Sequence, residues 1–325
     1  MPEVVLFGEA MLRLSPPGLQ RLEQAHTFEV WPAGAELNTA VGLARLGTSA
    51  GWVSRLPASA LGQKIASAAQ AAGVDTSDVL WVTDGRVGVF YVETGQPPRP
   101  TSVVYDRSDS TCAMLAPEDF DWSRLLGGAR AFHVTGITPA LSDGCEQATA
   151  AALAAARAAG CHTSYDLNHR NLLTSPARAR ELAESYAGDV DTILGSIDDA
   201  RAVFGLAGEA VDVATELREL LDVDRVVISA RSELGDGLQV RTSAAVGRET
   251  HVSVSPEFRT VDPLGGGDAF CAGFLHGLLA GDQQRALELG GAMAALKQSI
   301  PGDWAIVTAA EVEDLLSGAA VRTRR

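Results

Sequence analysis

The sequence predicts an α/β fold with a mostly parallel central sheet that is covered by helices on both faces. Short apolar β-type runs alternate with Ala-rich helical stretches of about 10–15 residues, and the central β-type runs are continuously apolar. Parallel strands need crossover connections, and a strand that is apolar on both sides needs two covering layers. The 325 residues, 46% of them hydrophobic, are enough for one large domain with a small attachment.

Strands and helices are predicted in alternation along the chain. The strands are predicted at residues 4–7, 50–55, 131–135, 163–167, 192–194 and 225–229, and the helices at residues 38–46, 61–72, 145–159 and 176–186. Two of these helices stop at a glycine, Gly73 and Gly160, which is the residue that helix C-termini favour. Strand–helix–strand units of this kind make right-handed crossovers, which place the strands parallel to one another.

Two segments interrupt this alternation. Residues 13–30 contain proline and have no helical period, and residues 87–105 contain two β-type runs, 87–93 and 101–105, around a turn-rich stretch. We interpret them as a small β-structured lid on the α/β domain; an ordinary surface hairpin is the alternative. The predicted main domain therefore spans residues 1–12, 31–86 and 108–325, and the predicted lid spans residues 13–30 and 87–107.

Charge and hydropathy exclude several classes of partner. The chain carries 41 acidic and 26 basic residues, a formal net charge of −15, and a surface of this sign repels phosphate backbones. No apolar run reaches the ~20 residues of a membrane span. The apolar N-terminal run has no basic region of the kind that begins a signal peptide. We therefore expect no nucleic acid and no membrane as partners, and a cytoplasmic location.

The four cysteines are Cys112, Cys145, Cys161 and Cys271, and no two of them form a C-x-x-C pair. Such wide spacing supports neither a disulfide framework nor a zinc site. We predict that they are buried, reduced thiols.

The strongest local signal for chemistry is the segment Asp262-Pro-Leu-Gly-Gly-Gly-Asp268, which precedes a helical stretch. Its three glycines, Gly265, Gly266 and Gly267, allow a ligand to approach the backbone closely. N–H groups at the start of a helix, together with its dipole, form an anion site. Asp268 fits two interpretations at this point: a carboxylate that caps the helix, or a base that takes a hydroxyl proton beside the bound anion.

Two other nucleotide-binding patterns do not occur in the chain. There is no G-x-x-x-x-G-K-[ST] sequence, so the protein is not a P-loop enzyme, and the turn after the first strand lacks G-x-G-x-x-G.

The segment from Asp262 to Asp268 resembles the D-T-x-G-A-G-D signature of the ribokinase-like (PfkB) carbohydrate kinases. Residues 33–38, Ala-Gly-Ala-Glu-Leu-Asn, are similar to the first signature of that family, with Ala33 in place of a glycine. Residues 8–16, 105–107, 133–141, 166–170 and 300–303 are most similar to the members that phosphorylate 2-keto-3-deoxygluconate. The resemblance implies a three-layer α/β/α sandwich with a mostly parallel central sheet and a small β-sheet lid.

The resemblance also implies roles for individual residues. Asp268 would be the catalytic base, and the N–H groups of Gly265, Gly266 and Gly267 would hold the transferred phosphoryl group. The implied substrate-binding residues are Gly34, Asn38, Phe90 (a tyrosine in relatives), Tyr105, Arg107 and Arg170. The implied cofactor-binding residues are Asn168, Ser196, Ser229, Gly235 and Asp262, with Asp199 contacting a metal ion through water. The implied cofactors are ATP and Mg²⁺, and a requirement for a monovalent cation is left open.

A sugar-acid substrate agrees with two of these residues. A desolvated carboxylate needs a cation or strong donors, and the planar guanidinium of arginine suits it. Arg107 and Arg170 are candidates for that role, although most arginines are solvated surface charges.

The chain departs from the family pattern on the nucleotide side. Ser196-Ile-Asp-Asp199 replaces Asn-x-x-Glu, and the run Ser229-Ala-Arg-Ser-Glu-Leu-Gly235 lacks a lysine and has its glycine late. In the anion loop, Gly266 takes the place of an alanine.

Three functional hypotheses remain open from the sequence. The first is an ATP-dependent kinase that acts on the terminal (6-) hydroxyl of 2-keto-3-deoxygluconate or a related sugar acid. The second is a kinase for a neutral sugar such as fructose, ribose or a nucleoside. The third is a degenerate kinase fold that binds a sugar acid and transfers phosphate weakly. The lid would exclude water from the site, and the resemblance implies a homo-oligomer, a dimer or higher, formed through the lid.

Overall fold

A ten-stranded sheet forms the centre of the molecule, and a four-stranded sheet lies beside it. The computed structural model describes residues 1–96 and 98–319. The strands are β1 (Val4–Phe7), β2 (Met11–Ser15), β3 (Glu29–Ala33), β4 (Ala50–Pro57), β5 (Val79–Val82), β6 (Gly88–Glu93), β7 (Ser102–Asp106), β8 (Ala131–Thr135), β9 (His162–Asp166), β10 (Thr192–Ser196), β11 (Arg225–Gly235), β12 (Leu238–Val246), β13 (Thr250–Val254) and β14 (Phe258–Arg259). The helices are α1 (Ala35–Leu46), α2 (Ala60–Ala71), α3 (Trp122–Leu126), α4 (Asp143–Ala158), α5 (Pro176–Tyr186), α6 (Ile197–Phe204), α7 (Ala210–Leu221), α8 (Gly266–Leu279), α9 (Gln283–Gln298) and α10 (Ala309–Leu316).

The large sheet is mostly parallel, as predicted. Its order is β13-β12-β11-β10-β9-β8-β1-β4-β5, with β14 beside β12. All neighbours from β5 to β11 are parallel, while β12 pairs antiparallel with β11, β13 and β14. The chain runs outward from β1 in both directions, and such a reversal of strand order leaves a crevice at the carboxyl ends of the strands.

Both faces of this sheet are buried, which explains the continuous apolar runs. In β1, Val5 and Phe7 belong to a core formed with α3 to α7, whereas Val4 and Leu6 belong to a core formed with α1, α2 and α8. On the latter side α8 packs against α9 at very short range. A Cβ at Gly273 would lie 2.6 Å from a backbone atom of Leu289, so only glycine allows this approach.

The structure differs from the prediction where the chain passes Ser229. The strand predicted at 225–229 does not end there: β11 continues to Gly235 and pairs with β12. The extension is exposed on both faces, so it lacks the apolar pattern that marks the buried half of the strand. Strands β12, β13 and β14 were not predicted either; the first half of β12 is only partly buried, and β13 is exposed at alternate residues.

The smaller sheet, here called the lid, has the order β3-β2-β6-β7. The predicted β-type runs at 87–93 and 101–105 are β6 and β7, which pair antiparallel. The predicted segment 13–30 contains part of β2 and part of β3, and these strands extend beyond it to Met11 and Ala33. Met11, Ala33 and Phe90 line one face of the lid with Val92 and make a small apolar core of their own.

A buried network of charges connects the lid to the main domain. The guanidinium of Arg13, on β2, forms ion pairs of 2.8 Å with Asp262 and 2.7 Å with Asp303. The ammonium of buried Lys297 donates to the carbonyl oxygen of Ile300 at 3.1 Å and lies near the two aspartates. Burial raises the pKa of Asp303 to about 6, although the charge of Arg13 opposes that shift. The network holds together the lid, the segment before α8 and the C-terminal turn.

Two expectations from composition can be compared with the fold. All four cysteines are buried and free, as predicted. Within the described part of the chain, no helix combines the length and the apolar character that crossing a membrane requires.

The Arg13 network predicts how the free energy of unfolding changes when Arg13 is replaced. Arg13→Met removes the ion-pair partner of two buried carboxylates and leaves only Lys297 near them, so at pH 8 we expect a loss of about 3–5 kcal/mol in the free energy of unfolding. Without Arg13, the pKa of Asp303 rises further above its value in the unfolded chain. The folded variant then holds a proton that the unfolded chain has released, so its stability falls as pH rises, and the loss is smaller at pH 5.

Urea denaturation of both proteins at pH 5 and pH 8 measures this difference. Arg178→Met is the matched control, because Arg178 is 45% exposed and pairs with acids at the surface; its cost should be about 0–1 kcal/mol. An equal loss in the two variants would contradict the role assigned to Arg13.

Candidate active site

The segment before α8 is held in a conformation that only glycine tolerates. Gly265 has φ +76°, and a Cβ on it would lie 1.9 Å from the carbonyl oxygen of Asp303. Gly265 is the N-cap of α8, so the first N–H groups of the helix, those of Gly266 and Gly267 among them, have no acceptor within the helix. The start of α8 is therefore an anion site by geometry and by dipole.

Asp268 lies in the first turn of α8 and is buried at the end of the central sheet. Asn38 Nδ2, from α1, donates to Asp268 Oδ2 at 2.6 Å, and Asn168 Nδ2 approaches Oδ1 at 3.5 Å. Burial raises the pKa of Asp268, while the hydrogen bond from Asn38 and the charge of Arg170 lower it. The cap position belongs to Gly265, which has no side chain, so Asp268 is not the helix cap that one interpretation of the sequence proposed.

Two cavities meet at this carboxylate. The larger, of about 560 Å³, extends from the middle of β11 along the carboxyl ends of β10 and β9 to the start of α8. The smaller, of about 70 Å³, lies beneath the lid. Arg170, Leu264, Gly265 and Asp268 line both of them. A group in one cavity and a group in the other would therefore face each other across Asp268.

All six predicted substrate-binding residues line the smaller cavity: Gly34, Asn38, Phe90, Tyr105, Arg107 and Arg170. Gly34 and Asn38 come from the start of α1, and Phe90 and Tyr105 are stacked neighbours on β6 and β7, with ring centroids 5.7 Å apart. The lid and the main domain thus each contribute part of this wall.

The two arginines that line the smaller cavity differ in their ion pairing. Arg107 Nε donates to Glu9 Oε2 at 3.0 Å, and its guanidinium lies 5.6 Å from the ring centroid of Tyr105. Arg170 is exposed to the cavities, and within the described residues no carboxylate forms an ion pair with it. Glu9 already neutralises part of the charge of Arg107, so Arg170 is the cation that is free to meet an anionic ligand.

The larger cavity contains most of the predicted cofactor-binding residues. Asn168, Ser196, Ser229 and Asp199 line it, as do Gly266 and Gly267. Ser196 Oγ donates to Asp199 Oδ2 at 2.6 Å, and the N–H of His169 donates to Oδ1 at 3.1 Å. This capping box at the start of α6 fixes the carboxylate of Asp199 at the cavity wall, with lone pairs left over for a further donor.

Two predicted cofactor-binding residues lie elsewhere. Gly235 is exposed at the turn between β11 and β12 and has φ +102°, so it serves the turn rather than the cavity wall. Asp262 is buried against Arg13 and accepts the N–H of Gly302 at 3.0 Å. It supports the segment before α8 from behind and does not line either cavity.

Asp166 is a site residue that the prediction did not assign. It is the last residue of β9, lines the larger cavity and accepts from Asn168 Nδ2 at 3.2 Å. Burial, and then the charges of Asp199 and Asp268, raise its pKa to about 8. This shift favours the protonated form of Asp166, which adds no negative charge to a cavity that would receive an anion.

Glu9 and Arg241 were also missed. Glu9 lies two residues after the end of β1, and Asp166 is the last residue of β9; a carboxylate at the carboxyl end of a buried strand was a signal that could have identified both. Arg241 lies on β12 and lines the larger cavity beside Ser229 and Gly266. No signal in the sequence indicated it, because β12 itself was not predicted.

The arrangement can support in-line transfer of an anionic group. The N–H groups at the start of α8 can hold charge that develops on the group, and Asp268 can accept a proton from the attacking hydroxyl. A bound molecule beneath the lid would be screened from water.

Comparisons with known proteins agree with this geometry. The sequence profile of the "pfkB family carbohydrate kinase" matches residues 1–304. A 2-dehydro-3-deoxygalactonokinase of Haloferax volcanii is 42% identical over 97% of this chain and 97% of the relative. A 2-dehydro-3-deoxygluconokinase of Bacillus subtilis is 30% identical over 93% of this chain and 91% of the relative.

A solved structure shares the fold. The 2-dehydro-3-deoxygluconokinase of Thermotoga maritima superposes with a TM-score of 0.91 at 34% identity, covering 97% of this chain and 98% of that structure. The ribokinase-like architecture that the sequence predicted is therefore confirmed. With a matching family profile over most of its length and full-length relatives above 30% identity, this chain belongs to the pfkB family of carbohydrate kinases.

Proposed function

We propose that the protein transfers the γ-phosphoryl group of ATP to the terminal (6-) hydroxyl of a 2-keto-3-deoxy sugar acid such as 2-keto-3-deoxygluconate. The observation that carries this proposal is the position of Asp268, whose carboxylate lies where the two cavities meet beside the start of α8. The donor would occupy the larger cavity and the acceptor the smaller one.

The acceptor side supports an acidic sugar. Arg170 faces the smaller cavity without an ion-pair partner among the described residues, and Asn38 and Tyr105 offer hydrogen bonds to hydroxyl groups. The similar enzymes are named for 2-dehydro-3-deoxy sugar acids, the same class of compound under another name. A carboxylate close to Arg170 would gain a charge-assisted hydrogen bond in a partly desolvated site.

The proposed step moves one proton and one phosphoryl group. Asp268 takes the proton of the acceptor hydroxyl as its oxygen bonds to the γ-phosphorus. The bond from that phosphorus to the bridging oxygen breaks, and its electron pair leaves with ADP. The N–H groups at the start of α8 hold the charge on the transferred oxygens, and Asn38 keeps the carboxylate of Asp268 in place.

Mg²⁺ would neutralise charge on the triphosphate, and the residues present fit an ion bound through water. Asp199 keeps free lone pairs at the wall of the larger cavity after accepting from Ser196 and His169. No group of three potential metal ligands lies together in the described residues. Phosphate oxygens and water would therefore supply most of the coordination sphere, as is common for this ion.

One observation favours a neutral sugar as the second candidate. Glu9 pairs with Arg107, so the smaller cavity offers one free cation instead of two. A neutral sugar would be bound by Asn38, Tyr105 and the Glu9–Arg107 pair through hydroxyl groups alone.

We also propose that the outer face of the lid is covered by a second copy of the chain. Val30, Leu14, Tyr91 and Val104 are register neighbours and form one row across the four strands of the lid. Val104 is 52% exposed and Val30 37% exposed. Exposing an apolar row across an entire sheet to water is unfavourable in free energy.

The role of Asp268 predicts that Asp268→Ala loses turnover while keeping the fold. Without the base we expect kcat to fall about 10²- to 10⁴-fold. The melting temperature should not fall, because a buried carboxylate is removed. ADP release with 2-keto-3-deoxygluconate measures turnover, and thermal unfolding measures the fold.

Asp282→Ala is the matched control, because Asp282 caps α9 by accepting the N–H of Arg285. It should lose about 1 kcal/mol of stability and keep its turnover. Retained turnover in Asp268→Ala would refute the proposed mechanism.

The proposed acceptor predicts a preference for the acid. We expect kcat/KM for 2-keto-3-deoxygluconate to exceed that for its neutral counterpart by about 10- to 100-fold, the worth of one charge-assisted hydrogen bond. Arg170→Met should reduce the rate with the acid more than the rate with the neutral compound, because the effect of Arg170 on the pKa of Asp268 is common to both substrates. A wild-type preference for the neutral sugar would instead establish the second candidate.

The covered lid predicts a dimer or a larger assembly in solution. Light scattering after size exclusion should give at least twice the mass of the chain, and Val104→Asp should give the monomer. Val252→Asp is the control, since Val252 is exposed to a similar degree, 45%, on β13. A monomeric wild-type protein would remove this proposal.

A further inference from the structure

Two arginines face each other in the wall of the larger cavity. Arg231 on β11 and Arg241 on β12 are register partners in the antiparallel pair, and both line the cavity. Directly opposed residues of such a pair lie on the same face of the sheet, with Cβ atoms about 4.5–5.5 Å apart. Two like charges in this position repel each other, so the pair destabilises the protein when nothing lies between them.

No acidic side chain in the described part of the chain compensates for this repulsion. Among the residues that the structure describes, neither arginine forms an ion pair with a carboxylate. Arg241 Nη1 donates to Ser229 Oγ at 2.7 Å, while its Nε is buried and has no partner. A buried donor of a charged group that lacks a partner is costly, and an anionic ligand would satisfy it.

The guanidinium of Arg241 is directed towards the start of α8. A Cβ on Gly266 would lie 3.9 Å from Arg241 Nη2, so the guanidinium is next to the first turn of that helix. The ring of Phe270 lies below it, with its centroid 5.9 Å from the central carbon, and this contact fixes its plane. The free N–H groups of α8 and the two arginines therefore converge on one part of the cavity.

We propose that Arg231 and Arg241 bind the phosphate chain of the donor nucleotide. This inference rests on the proposed function, which places the nucleotide in the larger cavity. The ligand must carry more than one negative charge to satisfy two arginines and a helix terminus together. The carboxylate of the sugar acid is a poor match, because the smaller cavity lies on the other side of Asp268, and neither arginine lines it.

The test measures the binding of ADP and of adenosine by calorimetry to the wild-type protein, Arg241→Gln and Arg231→Gln. Adenosine has the same base and ribose but no phosphate. We expect Arg241→Gln to weaken ADP binding about 10- to 100-fold, the worth of a charge-assisted hydrogen bond, and to leave adenosine binding unchanged. Arg231→Gln should weaken ADP binding in the same way but less, because Arg231 is more exposed.

Arg259→Gln is the matched control. Arg259 lies on β14 beside the β11–β12 turn, donates to the carbonyl oxygen of Asp236 and lines neither cavity. Arg259→Gln removes the same charge as the test variants but removes no side chain from the cavity. If the two arginines act by direct contact with phosphate, ADP affinity in this control should stay within about twofold of the wild-type value.

The outcomes separate this inference from the proposed function. Equal losses for ADP and adenosine would show that Arg241 only shapes the cavity, and unchanged ADP binding in both variants would show that neither arginine touches phosphate; each result overturns the inference and leaves the proposed function standing. A wild-type protein that binds no ADP would overturn both. Arg231 is exposed, so Arg231→Gln should fold and keeps the test decisive if Arg241→Gln does not.

Discussion

The burial of one carboxylate is the constraint on which the site depends. Asp268 is removed from water at the start of α8, and burial alone would favour its protonated form. Asn38 from α1 and Asn168, just after β9, supply the hydrogen-bond donors that stabilise the ionised carboxylate there. Those donors meet only if α1, β9 and α8 are correctly packed. The need to hold a reactive base thus links three elements that are distant in sequence.

The charged residues that line the larger cavity differ in balance from the net negative charge of the whole protein. The chain carries a formal net charge of −15, yet the larger cavity contains arginines that have no acidic partner among the described residues. Burial raises the pKa of Asp166 and so favours its neutral form. Behind the segment that precedes α8, the positive charges of Arg13 and Lys297 balance the negative charges of Asp262 and Asp303. An acidic protein can therefore receive a polyanion, because its local charges and helix termini oppose its overall charge.

Much of the fold and of the site could be predicted from the sequence, and the residues that were missed share a physical reason. Continuous apolar strands and glycine-terminated helices indicated the parallel sheet, and the glycines before Asp268 indicated the anion site. The family resemblance supplied six of the residues that line the smaller cavity. Local patterns could not identify Arg241, because the half of β12 that contains it is only partly buried and pairs with an exposed extension of β11. Nor could they show that Glu9 meets Arg107, which lies 98 positions away.

The most direct test of the account is a crystal structure of the protein with 2-keto-3-deoxygluconate and a non-hydrolysable ATP analogue. It should show the terminal hydroxyl within hydrogen-bonding distance of the Asp268 carboxylate and facing the γ-phosphate, with the sugar carboxylate at Arg170. A terminal hydroxyl directed away from Asp268, or a sugar acid bound outside the cavity beneath the lid, would contradict it.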